Sequence, residues 1–158
     1  MLFLNLRRAL YNLNRKYKDT LFCKIFGREK YKRYALDLYN AVNNSSYTDL
    51  SELEIVTLDN AVYIKIKNDV AYLISGNISL YEHQSTINLN MPLRGFMYFG
   101  ELYNKILKKD GKKLYNRKLI KIPTPQYIVF YNGEDDYPEE SKLRLSDAFI
   151  NPVSDGEY

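Results

Sequence analysis

The chain has 158 residues, of which 46% are apolar and 27% charged, which suits one globular domain with a real core and argues against disorder. Its single cysteine, Cys23, excludes an internal disulfide and a cysteine-based zinc site. The formal net charge is +4, yet residues 1–33 hold ten Lys/Arg against Asp19 and Glu29, so this block carries +8 and the remainder −4. A basic block beside an acidic body suits a protein that grips phosphate and holds a divalent cation. A solvated basic helix face accounts for the block equally well. Sixteen tyrosines and no tryptophan suit half-covered strands and binding surfaces without choosing a partner.

Met1-Leu2-Phe3-Leu4 is too short an apolar run for a signal peptide, and Arg7 and Arg8 interrupt it. No run approaches the length of a membrane helix, so a cytoplasmic protein without a membrane partner is expected. Residues 1–26 read as helix, broken near Lys18-Asp19, with Leu6, Leu10 and Leu13 at helical spacing. Cys23, within Leu21-Phe22-Cys23, reads as a core filler. Residues 29–43 read as a second helix. Its apolar face is Tyr31, Tyr34, Ala35, Leu38 and Val42, and Asn43-Asn44-Ser45-Ser46 ends it.

Residues 61–84 read as β structure. Val62 to Ile66 alternates loosely. Val70 to Ile74 and Ile78 to Tyr81 are β-branched and apolar, and the three-residue link Ser75-Gly76-Asn77 predicts a hairpin. Pro92 opens a helix whose apolar face is Phe96, Phe99, Tyr103, Ile106 and Leu107, and Asp110-Gly111 ends it. Tyr127 to Tyr131, after Pro123-Thr124-Pro125, is a continuous apolar run that suits a strand buried on both faces. Residues 133–158 read as an acidic tail or loop. The order predicts an α/β sandwich with a mixed sheet flanked by helices, the N-terminal ones basic.

The chemical signal lies at Asp69 and at Glu82-His83-Gln84. Residues i and i+2 of a strand share a face, so Glu82 and Gln84 project together and His83, the only histidine, turns away. The hairpin brings Asp69 beside Glu82. Two neighbouring carboxylates repel unless a proton or cation lies between them, and Mg²⁺ takes such hard oxygen ligands. On spacing alone the pattern is loose, and solvation of each carboxylate at a strand end explains it as readily.

The segments Leu80-Tyr81-Glu82-His83-Gln84-Ser85-Thr86 and Asn90-Met91-Pro92-Leu93-Arg94 together resemble the signature of the Rpn family. These are recombination-promoting nucleases, also termed transposases, in the PD-(D/E)XK superfamily. Lys18 to Phe22 with Phe26-Gly27, Leu38 to Ala41, Pro123-Thr124-Pro125 with Val129 to Gly133, and Leu145 to Phe149 are similar to the same family. The resemblance spans residues 17–150, and it implies one PD-(D/E)XK nuclease-like domain over residues 1–150 with a tail at 151–158. Relatives continue past the Leu145 to Phe149 element, so a short or C-terminally truncated member is expected.

The resemblance implies a Mg²⁺-dependent DNA endonuclease, with Mn²⁺ or Ca²⁺ acceptable to the same oxygen ligands. Asp69 and Glu82 would be metal ligands. Gln84, at the usual lysine position, would orient the attacking water by hydrogen bonds. Asp19 would complete the catalytic set, or else cap a helix. Arg94 suits a phosphate or a carboxylate partner, and Arg7, Arg8, Arg15 and Lys16 suit the DNA backbone. A homodimer is compatible with this reading, as are an inactive nucleic-acid-binding remnant and a protein-interaction domain.

Overall fold

A computed structural model describes residues 2–5, 15–56, 69–111, 114–115 and 117–151. Its elements are β1 (Leu2–Asn5), α1 (Arg15–Phe26), α2 (Lys32–Asn43), β2 (Glu54–Ile55), β3 (Asp69–Ile74), β4 (Asn77–Gln84), α3 (Met91–Lys109), β5 (Thr124–Tyr131) and β6 (Glu140–Lys142). The strands form one six-stranded mixed sheet in the order β2-β3-β4-β5-β1-β6. β5 runs parallel to both β4 and β1, and the other three pairings are antiparallel. The expected α/β architecture with a mixed sheet is therefore present. Among the described residues, no helix is long and apolar enough to cross a membrane.

The central strands are apolar on both faces because helices cover both. Val70, Tyr72, Ile74, Tyr81, Ile128 and Phe130 face α1 and α2. Ala71, Ile78, Leu80, Tyr127, Val129 and Tyr131 face α3. α3 is the crossover between parallel neighbours β4 and β5, a connection of this kind needing a dozen or more residues. On the α1/α2 face the buried polar groups are satisfied in a chain. Ser79 donates to Gln126 (2.8 Å), Gln126 to Asn43 (2.9 Å) and Asn43 to the Tyr81 hydroxyl (3.0 Å).

The β3–β4 hairpin turns on two residues, Ser75 and Gly76, and Asn77 already belongs to the strand. The expected three-residue link is thus one residue too long. Both turn residues have positive φ, 48° and 76°, as a type I′ turn requires. The tight turn sets the register along the whole ladder, from Ile74↔Asn77 to Asp69↔Glu82.

Four expectations need correction. Residues 2–5 form a strand, not the start of a helix. Leu-Phe-Leu suits either element, and pairing with β5 decides. Residues 6–14, with Leu6, Leu10 and Leu13, lie outside the described residues, as does the run Val62 to Ile66. In α2 the buried residues are Ala35, Leu36 and Tyr39, while Tyr34 is exposed. In α3, Phe96 is 61% exposed and Tyr98 is buried, because this helix is apolar on two faces and only one meets the sheet. Finally, the acidic stretch is not all tail. β6 pairs with β1, and a 3-10 turn at Leu145–Ala148 packs against α3.

Ser75 sits exposed at positive φ, where asparagine is tolerated far better. Ser75→Asn is expected to stabilise the fold by about 0.5–1 kcal/mol, read as a rise in urea midpoint with unchanged slope.

Candidate metal centre

The ladder puts Asp69 directly opposite Glu82. Directly opposed residues carry their Cβ atoms about 4.5–5.5 Å apart on one face. Glu82 and Gln84 lie on that same face, towards α3. His83 projects to the other side, where it is buried and stacks on Phe22 with ring centroids 5.7 Å apart. Both carboxylates are buried, Glu82 almost completely at 1% exposure and Asp69 at 9%. Burying two acids at one spot is costly unless hydrogen bonds and counter-charges compensate.

Glu82 is compensated in full. Arg94 donates from Nη2 to Oε1 at 2.7 Å, an ion pair as well as a hydrogen bond. Gln84 Nε2 donates to the same oxygen. The Tyr127 hydroxyl donates to Oε2. Burial, and then the charge of Glu82, holds the Tyr127 phenol far above its ordinary value, so it remains a donor. Asp69 is compensated less. The Tyr98 hydroxyl is its side-chain donor, while its Oδ2 is buried without a hydrogen-bond partner. Burial first, and Glu82 second, push the Asp69 carboxyl up from 3.8 to about 7, against the smaller opposing effects of Tyr98 and Arg94.

Helix α3 supplies two of these groups from consecutive turns. Arg94 and Tyr98 are four residues apart and so share one helix face. Gly95 lies between them, packed against Tyr127. A Cβ there would sit 2.3–2.5 Å from the Tyr127 ring. The missing side chain lets the ring lie flat on the helix and reach Glu82.

Asp69, Glu82 and Gln84 are thus brought together as the sequence predicts. Of the two partners expected for Arg94, the structure shows the carboxylate. Asp19 lies in α1, and its side chain falls outside the described residues. Arg15 and Lys16 begin the same helix, and Arg7 and Arg8 lie outside the described residues. Sequence reasoning missed Tyr98 and Tyr127. The parallel crossover and the helix face that place them give no short-range signal. Comparisons with protein-family models, curated proteins and solved structures found no match.

The donor set fits a hard divalent cation. It offers two opposed carboxylates, one with a buried oxygen free of hydrogen bonds, and leaves further positions to water or substrate oxygens. Among the described residues no group of three or more His, Cys, Asp or Glu gathers.

Two outcomes follow. Gly95→Ala is expected to destabilise the protein by roughly 1–2 kcal/mol in chemical denaturation, although alanine is the better helix former, because overpacking against Tyr127 outweighs propensity. The raised pKa of Asp69 makes the native state hold its proton longer than the unfolded state. Stability therefore falls as pH rises between 3.8 and about 7, then levels off. The loss is on the order of 4 kcal/mol if the shift is fully expressed. Asp69→Asn is expected to flatten that slope and to be the more stable protein at pH 8, measured by denaturant titration across the range.

Proposed function

We propose that the chain is a metal-dependent DNA endonuclease of the Rpn type, built on a PD-(D/E)XK core. The observation that carries this reading is the Asp69↔Glu82 register with Gln84 on the same face. This is the spacing and sidedness that the family's strand aspartate and Glu-x-Gln element require. The uncapped Asp69 Oδ2 supports it further.

A bound Mg²⁺, held by Asp69 and Glu82, would supply an activated water and charge neutralisation at the phosphate. The chain's own residues do the rest. Gln84 has an amide carbonyl left over from its bond to Glu82, and this would accept from a water beside the carboxylates. Arg94 fixes the Glu82 carboxylate in one orientation, and its side chain, 31% exposed, keeps guanidinium donors for a phosphate oxygen. Tyr127 and Tyr98 lock the two acids from the α3 side. Basic residues of the N-terminal block would hold backbone phosphates with little sequence preference. Work on DNA in the cytoplasm fits this reading, and a homodimer would bring one such site to each strand.

One observation favours a second reading. Glu82 already has three donors, so the cluster is nearly self-sufficient as a structural network. A catalytically silent nucleic-acid-binding protein would keep such a network without cutting.

Incubation with supercoiled plasmid separates the two. The nuclease reading expects nicked and linear products with Mg²⁺ or Mn²⁺, none with EDTA, and a loss of at least about 100-fold for Asp69→Ala. Wild-type-like cutting by Asp69→Ala would refute the assigned site. DNA retention without cleavage under every metal would establish the silent reading, and no retention at low salt would point to a protein partner instead.

A further inference from the structure

Eighteen of the 23 lysines and arginines fall in two stretches. One is the N-terminal block. The other runs from Lys105 to Lys121 and sets eight cations against Asp110, a local charge of +7 in a chain whose total is +4. Its described cations, Lys105, Lys108, Lys109, Arg117, Lys118 and Lys121, are all exposed. Lys105, Lys109 and Lys121 line one open groove of about 500 Å³, floored by Val56, Leu73 and Ile106. Glu54 pairs with Lys109 at 2.9 Å and, with Asp110, is the acidic part of that lining. Tyr115 stands fully exposed among these cations, between the exposed Leu114 and Leu119.

The groove also touches Gly76, so it lies at the turn end of the β3–β4 hairpin, whereas the carboxylates lie at the other end. Both flank α3 on the same side of the sheet. From Arg94 to Lys109 the helix rises about 22 Å at 1.5 Å per residue. That is roughly six to seven base pairs of B-DNA at 3.4 Å each. Favourable interaction with the helix dipole accounts for Lys108 and Lys109 at the C-terminal end of α3. It does not account for Arg117, Lys118 and Lys121, which lie beyond the helix, or for a bare tyrosine ring among them. An anionic membrane would also attract the cations, but the described residues just after α3, 111, 114–115 and 117–118, are turns and bends and form no interfacial helix among themselves.

We propose that the described cations Lys105, Lys108, Lys109, Arg117, Lys118 and Lys121 form a second DNA-contacting surface, gripping backbone phosphates at the far end of α3 from the carboxylate pair, with Tyr115 offering its ring to an unpaired base. The inference rests on the nuclease reading only for the choice of DNA as the polyanion.

The test is DNA binding by the full chain in EDTA, followed by fluorescence anisotropy with a 30-base-pair duplex and a 30-nucleotide single strand over a salt series. No cleavage enters, so the metal site can fail while this surface stands, and the reverse. The triple variant Arg117→Gln/Lys118→Gln/Lys121→Gln should lower the slope of log K against log salt by about 2–3 on duplex, close to one counterion per lost contact. Tyr115→Ala should weaken the single strand by roughly tenfold and the duplex much less. Unchanged melting temperatures would show that both variants fold. An unaltered salt slope in the triple variant overturns the proposal. So does capture of the wild type by phosphatidylserine vesicles without affinity for either DNA.

Discussion

Two carboxylates facing each other across a β-ladder, inside the protein, are the constraint around which this structure is arranged. Antiparallel pairing allows no compromise, since a slip of one residue would turn one acid to the opposite face. The two-residue turn at Ser75-Gly76 fixes that register from the far end of the hairpin, six paired positions away. A local conformational preference at an exposed turn thus decides which side chains meet at the other end of the strands. Burial then makes the meeting consequential. In water the two charges would be screened, but here each must find donors or keep a proton.

The packing of α3 follows from that need. Arg94 and Tyr98 come from successive turns of one helix face, and each serves one acid. β5 must lie parallel to β4 for Tyr127 to rise beside Glu82. Its ring needs the space at Gly95, which gives up helix propensity to provide it. The compensation remains lopsided. Three side-chain donors reach Glu82, one side-chain donor reaches Asp69, and Asp69 is the acid that burial and repulsion push up to about 7. A fold seeking only stability would have capped that oxygen or replaced the acid with an amide. Local cost of this kind is a common mark of a working site.

How much of this could be read from the residues alone depends on the range of the signal. Period-two alternation gave the shared face of Glu82 and Gln84 and the turn of His83 to the other side, and the hairpin brought Asp69 beside Glu82. Pro92 and Asp110-Gly111 bracketed α3 correctly. These are short-range signals. Residues 2–5 misled because Leu-Phe-Leu has no strong period, and a strand forms there through a partner more than 120 positions away. Tyr98 and Tyr127 were hidden for a related reason. Each is one aromatic among many, and only the crossover topology picks it out. Asp19 was drawn into the cluster by its match to a family element, and its side chain falls outside the described residues.

Charge counting connects the cluster to the chemistry suggested for it. With Asp69 ionised, Asp69, Glu82 and Arg94 sum to −1, and with Asp69 protonated to zero. A proton on Asp69 neutralises the set, and a divalent cation would have to displace it. Proton release and cation uptake would then be linked through one oxygen, the buried Oδ2 of Asp69. Were that exchange made, the local sum would become +1, which a phosphodiester would bring back to zero. In a medium of low dielectric, neutrality of the whole set favours cation and phosphate arriving together over either alone. Arg94 is what sets this balance. Without its positive charge the same two acids would neutralise a divalent cation by themselves, and nothing electrostatic would remain to draw in the substrate.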